Sequence, residues 1–153
     1  MLQTKDHESA APMANWLLDS TSSILVVDDV AVNIDLLCCV LSSVRCRVET
    51  ASSGRQALEI LEETDFAAVL LDVRMIGLDG MQVATRMMQS ERLIRTPIIF
   101  ITSDNGEQID EFAAGHPGTI DFVRKPFLPN ILCSKVRVLL ELHALRARTQ
   151  REG

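Results

Sequence analysis

Five short apolar runs rich in β-branched residues punctuate the 153-residue chain: Ile24 to Val27, Cys46 to Thr50, Ala67 to Leu71, Ile98 to Ile101 and Thr119 to Val123. Three of them lack the period-two alternation of a strand with one wet face. A continuous apolar run of that length fits a strand covered on both sides, as in a parallel sheet. Helices must then cover both faces. The intervening segments supply them at Asn33 to Val44, Gly54 to Glu63, Gly80 to Glu91, about Asn105 to Ala114, and from Pro129 onward. Strand and helix therefore alternate five times, which predicts an α/β domain with right-handed crossovers and a doubly wound parallel sheet.

Local chemistry agrees with these helices. Ser53 with Gln56, and Asp79 with Gln82, have the N-cap plus three spacing of a capping box. In the third helix Val83, Ala84, Met87 and Met88 recur at intervals of three and four, giving a buried stripe that leaves Arg86 and Gln89 outside.

Composition removes several classes of function. The chain is 47% hydrophobic and 24% charged, and a domain of this length buries roughly 70% of its unfolded surface, enough for a core without staples. Its apolar runs fall far short of the roughly 18 residues of a membrane span. Residues 1 to 22 include Lys5, Asp6, His7, Glu8 and Asp19 and no continuous apolar stretch, unlike a secretory signal, so a cytoplasmic location is expected. The cysteines at 38, 39, 46 and 133 lack paired spacing, and three sit in apolar runs where a thiol serves as a small hydrophobe. A net charge of −6 argues against direct nucleic-acid binding and points to protein partners.

In a doubly wound sheet the ligand site lies at the carboxyl ends of the strands. There the sequence places Asp28-Asp29, Asp72, Thr102-Ser103 and Lys125-Pro126. Three carboxylates brought together repel unless a cation neutralises them. Mg²⁺, which takes one or two carboxylates with water and a phosphate oxygen, suits such a set, so the implied ligand is phosphoryl. Thr102 offers a hydroxyl and Lys125 a positive charge, the groups that stabilise phosphoryl oxygens during transfer. The chain has no Gly-rich nucleotide cradle, so the phosphoryl group comes from elsewhere. An aspartate can itself be the nucleophile and form an acyl phosphate, and Asp72 is the best candidate.

These residues resemble the receiver domain of two-component response regulators. The likeness covers about residues 23 to 145 and rests on Asp28-Asp29, Asp72, Thr102, Phe122 and Lys125-Pro126, with Leu71 to Met75, Gly77 and Asp79-Gly80-Met81 similar to that family's phosphorylation loop. It implies a flavodoxin-like (βα)5 sheet of order 2-1-3-4-5. It also implies residue roles. Asp72 would take phosphate from a phosphohistidine on a histidine kinase or phosphotransfer protein. Asp29, Asp72 and the backbone carbonyl of Arg74 would bind Mg²⁺, with Asp28 holding a metal water. Lys125 would ion-pair with the aspartyl phosphate. Thr102 would hydrogen-bond the phosphate while Phe122 turns inward and alters the face of the fourth helix, fifth strand and fifth helix. A cis Lys125-Pro126 bond that aims the lysine inward is also implied. Such a domain is a switch rather than a turnover enzyme, and controls an attached output domain or an effector protein.

Other readings remain at this stage. A degenerate receiver would keep the fold and act as a dimerisation module without phosphorylation, although the complete Asp, Thr and Lys set speaks against it. An aspartate-nucleophile phosphohydrolase would need a second acid two residues after a nucleophile on the first strand, which Asp28-Asp29-Val30 does not offer. Arg74 either reaches toward a phosphate or stands in solvent. His7, His116 and His143 match no catalytic spacing and are expected at the surface. The segment Ala114-Gly115-His116-Pro117-Gly118 departs from the family and would alter the switch face locally.

Three regions are expected: a polar tail over 1–22, the receiver over 23–145, and over 146–153 a helical extension or the start of a linker to an output domain. Leu132, Val136, Leu139, Leu142 and Leu145 recur at three or four, flanked by Arg146, Arg148 and Arg151. Part of this seam must face the sheet. The remainder suits a linker helix or a homodimer, which would form through this helix or through the switch face. Met13, Trp16, Leu17 and Leu18 would give the tail one amphipathic turn.

Overall fold

The computed structural model describes residues 22–103, 106–116 and 119–152. Its strands are β1 (Ser23–Val27), β2 (Arg47–Ala51), β3 (Ala68–Asp72), β4 (Ile98–Thr102) and β5 (Ile120–Arg124). Its helices are α1 (Ala31–Leu41), α2 (Gly54–Glu63), α3 (Gly80–Met88), α4 (Glu107–Ala114) and α5 (Pro129–Glu152). All strand pairs are parallel, as the residue pattern predicts, and the order is β2-β1-β3-β4-β5, as the family resemblance implies.

Every residue of β1, β3 and β4 is buried, which is why those runs show no alternation. β2 and β5 form the edges and are partly exposed. Alternate side chains of the inner strands enter two cores. Leu25, Val27, Leu71 and Phe100 pack with α2 and α3 on one face. Ile24, Val26, Leu70 and Ile99 pack on the other with Leu37 and Leu41 of α1 and Leu132, Val136 and Leu140 of α5. Each fully buried Leu or Ile contributes about 1.5–3 kcal/mol, so these layers carry the fold.

Several boundaries differ from the periodic pattern. α1 starts two residues before Asn33, because Asp28 Oδ1 accepts the amide of Val30 at 3.0 Å and the turn closes directly onto Ala31. No side chain caps Val30, so no N-cap residue marks that start. α1 ends at Leu41, where the Ser42 hydroxyl donates to the Cys39 carbonyl at 2.6 Å. α3 stops at Met88 rather than Glu91, as the amides of Gln89 and Ser90 turn back to Arg86 and Met87, a tighter closing turn. α4 begins at Glu107, and Asn105 lies outside the described residues.

Both expected caps form, one of them with changed partners. Asp79 and Gln82 make the full reciprocal box, at 2.9 and 3.0 Å. Ser53 Oγ accepts from Gln56 N at 3.1 Å, but the Gln56 side chain reaches the amide of Ser52 instead, at 2.7 Å. The buried stripe of α3 is Val83, Ala84, Met87 and Met88, as expected.

His116 and His143 are half-buried rather than exposed. The ring of His116 lies 4.8 Å from that of Phe112, and its Nδ1 is 3.0 Å from the Phe112 carbonyl. α5 divides the leucine seam between two sides: Leu132 and Val136 are buried and Leu139 is half-buried, while Leu142 and Leu145 are exposed, and Leu140, outside the expected seam, is buried. His7, Met13, Trp16, Leu17, Leu18, Pro117 and Gly118 lie outside the described residues. Among the described residues no helix is long and apolar enough to cross a membrane.

Candidate functional site

Parallel pairing delivers the polar residues to one edge of the sheet. Val27 pairs with Leu71, Leu71 with Phe100, and Thr102 with Arg124, so Asp28, Asp72, Thr102 and Lys125 all stand at carboxyl ends. Backbone bonds lock two of these ends together. The amide of Asp28 donates to the Ala51 carbonyl at 3.2 Å, and that of Lys125 to the Thr102 carbonyl at 2.7 Å.

Asp28, Asp72 and Thr102 are 0%, 7% and 2% exposed, whereas Asp29 is half-buried. Each of the three carboxylates offers an oxygen within 4.8 Å of the others. Burial, with the neighbouring charge of Asp28, pushes the Asp72 carboxyl up from 3.8 to about 6, and Lys125 opposes that shift. Lys125 Nζ lies 3.4 Å from Asp72 Oδ1, and the Lys125-Pro126 peptide is cis. Thr102 stands on the next strand from Asp72, where their backbones pair in adjacent register.

The residues fit a hard divalent cation. Asp28 Oδ2 is buried and, among the described residues, has no hydrogen-bond partner. That uncompensated oxygen, within a set of three clustered acids, is chemistry that a cation or bound water would satisfy.

The loop after β3 closes over this set. The amide of Ile76 donates to Asp29 Oδ2 at 2.9 Å, and Gly80 donates back to the Val73 carbonyl at 2.9 Å. A cleft of about 510 Å³ opens beside Asp29, lined in part by Arg74, Met75, Ile76, Met81 and Gln108. Arg74 is exposed on its rim.

Phe122 is half-buried against the first core. Its ring tip rests on Gly106, which has φ +85° and whose missing Cβ would sit 2.9 Å from Phe122 Cζ. Two contacts here escaped the sequence reading. The Ile76 amide leaves no side-chain signature. Gly106 closes the run Asp104-Asn105-Gly106, whose turn composition carries the signal for a left-handed residue.

The response regulator receiver domain model matches residues 24–137. The chain belongs to that family. Receiver domains are signalling switches that bind Mg²⁺ in an acidic pocket. The transcriptional regulatory protein SrrA of Staphylococcus aureus is 34% identical over 120 residues, covering 78% of this chain and 48% of that protein. The chain thus spans about half the length of the curated relatives it matches. The receiver domain of the sensor histidine kinase PA1611 from Pseudomonas aeruginosa, solved with magnesium in its active-site cleft, superposes with a TM-score of 0.67 at 30% identity over 78% of this chain and 97% of that one. Vibrio cholerae CheY4 shares the fold, with a TM-score of 0.69 and 24% identity over 77% and 98% of the two chains.

Proposed function

We propose that this receiver accepts a phosphoryl group on Asp72 from a phosphohistidine donor and uses the aspartyl phosphate to reset a protein-interaction face. The observation that carries this reading is the pairing of a buried, clustered carboxylate with Lys125 Nζ at 3.4 Å. An Asp72 oxygen attacks phosphorus, the phosphorus–nitrogen bond of the donor breaks, and the imidazole leaves with its electron pair and takes up a proton. Water later attacks the acyl phosphate and returns the free carboxylate with inorganic phosphate.

Asp29, Asp72 and the Arg74 carbonyl would hold Mg²⁺ directly, and Asp28 would hold a water on it. Bound there, the ion supplies charge neutralisation for the phosphoryl oxygens. Lys125 keeps its ammonium beside the acceptor and ion-pairs with the phosphate once formed. The Thr102 hydroxyl donates a hydrogen bond to a phosphoryl oxygen, and Phe122 turns inward as that bond forms. The face of α4, β5 and α5 changes with it, a two-state equilibrium biased by contacts present in only one state. The donor is a histidine kinase or a histidine phosphotransfer protein in the cytoplasm, and the listener an output domain or effector. Turnover is confined to the domain's own phosphate.

The test is intact mass after incubation with acetyl phosphate, with and without Mg²⁺, beside Asp72→Asn. A single Mg²⁺-dependent phosphoryl adduct, lost in the variant, is expected. An adduct that persists in Asp72→Asn would remove Asp72 as acceptor. No adduct from either acetyl phosphate or a phosphohistidine donor would favour a phosphorylation-independent module.

A further inference from the structure

The far half of α5 carries an exposed apolar stripe. Val138, Leu142 and Leu145 are 56%, 40% and 45% exposed. At about 100° per residue they fall on the side of the helix away from the buried Leu132, Val136 and Leu140. One turn before the stripe, Lys135 Nζ lies 2.7 Å from Asp121 Oδ2, so the stripe looks out on the β5 side of the helix. α5 starts four residues after Lys125, at the carboxyl edge of the sheet, and runs toward the opposite edge. Arg137 marks its arrival there, with Nη2 3.4 Å from the carbonyl of Ser43, in the turn that leads into β2. Val138, Leu142 and Leu145 therefore stand at or beyond the amino-terminal edge. The chain enters β1 at that same edge, where the Ser22 carbonyl accepts the amide of Arg47 at 3.1 Å.

The residues before Ser22, which lie outside the described ones, supply an occupant of matching chemistry. Met13, Trp16 and Leu17 stand at i, i+3 and i+4, the spacing of one apolar side of a helical turn. Leu17 comes five residues before Ser22, about 17 Å of extended chain. That is enough to pass from β1 to β5, three spacings of about 4.8 Å. Charge favours the same contact. Residues 137–152 hold four arginines and two glutamates, whereas residues 1–21 hold one lysine and three acids, so the two segments attract. The exposed side chains of Val32, Ile76 and Leu128 stand at the opposite edge, beside the acids. A tether of a few residues gives a local concentration on the order of millimolar, above that of a second copy in dilute solution.

We propose that the amino-terminal segment of this chain docks on its own α5, with Met13, Trp16 and Leu17 laid on Val138, Leu142 and Leu145. The docked segment covers the far half of the helix on its β5 side and excludes another protein from it. The contact does not depend on phosphorylation, so it stands or falls separately from the reading of Asp72.

Trp16 makes the test direct, because the chain has one tryptophan and no tyrosine, and its fluorescence reports this segment alone. In the native 153-residue chain, Trp16 should emit at shorter wavelength than in urea and be shielded from acrylamide quenching, equally at every protein concentration. Leu142→Lys should abolish that shielding while leaving the helical circular dichroism signal unchanged, since the position is exposed. Val32→Lys, at the other edge of the sheet, should leave it intact. A native Trp16 as quenchable as in urea overturns the proposal. Shielding that survives Leu142→Lys overturns it, since the segment would then lie elsewhere. Shielding lost on dilution overturns it as well, since the segment would then cover a second copy rather than its own helix.

Discussion

Gly80 lies against the backbone of Asp72 so closely that a Cβ on it would stand 2.2 Å from the Asp72 carbonyl oxygen and 2.9 Å from the Val73 Cα. Both atoms are backbone at the end of β3, so no rotamer change relieves the contact. Gly80→Ala is expected to cost about 2 kcal/mol or more in denaturant unfolding, in the range of an overpacked core. Gly115→Ala is the control. The nearest atom to its Cβ is the Phe112 carbonyl at 3.7 Å, and its stability should change by no more than about 0.5 kcal/mol.

The raised Asp72 carboxyl makes the metal-free domain's stability depend on pH. Its value of about 6 lies above the ordinary 3.8, so between those limits the folded state binds more protons than the unfolded one. Stability then falls as pH rises from about 4 to about 6, and stays reduced above. Asp72→Asn removes this loss. Above pH 7 the variant should exceed the wild type by about 2–3 kcal/mol, and the gap should close as pH falls to 4. Urea unfolding of both proteins across that interval, without metal, reads the difference. A gap that widens toward acid would reverse the sign and refute the assignment.

Magnesium should stabilise the folded chain by binding it and not the unfolded one. Asp29→Asn removes a charge from the acid cluster and should weaken Mg²⁺ binding at least tenfold, about 1.4 kcal/mol. Thermal unfolding with rising Mg²⁺ is the check, and equal shifts in both proteins would take Asp29 out of the metal site.

Gly106 and Phe122 should be coupled. Gly106→Ala places a side chain at φ +85° and presses it on the Phe122 ring, with an expected loss of about 1–3 kcal/mol. In a Phe122→Ala background the pressure disappears and only the backbone cost remains. A double-mutant cycle should therefore show a coupling of about 0.5 kcal/mol or more. Strict additivity would mean that the ring moves aside freely.

The sheet was legible in the sequence because burial on both faces erases alternation, and Val26-Val27 and Leu70-Leu71 carry that mark plainly. The acids, Thr102 and Lys125 were legible because a parallel sheet gathers strand ends. Backbone contacts were not. The Ile76 amide on Asp29 and the carbonyl-facing approach of Gly80 to Asp72 depend on loop geometry rather than on residue type. The start of α1 was also misplaced, since Asp28 replaces the usual capping signal by binding Val30 from two residues before it. In α5 the leucine spacing alone left open which residues turn inward, because Leu139 and Leu140 are both apolar and only packing separates Leu140 from Leu142.

α5 begins four residues beyond Lys125 and runs without interruption to Glu152, a length of about 36 Å. Among the described residues, its contacts with the second core lie along its first half, through Leu132, Val136 and Leu140. The helix is therefore a lever with its fulcrum beside the lysine. A tilt of about 5° in its first turn, too small to disturb side-chain packing there, would sweep the far end through about 3 Å.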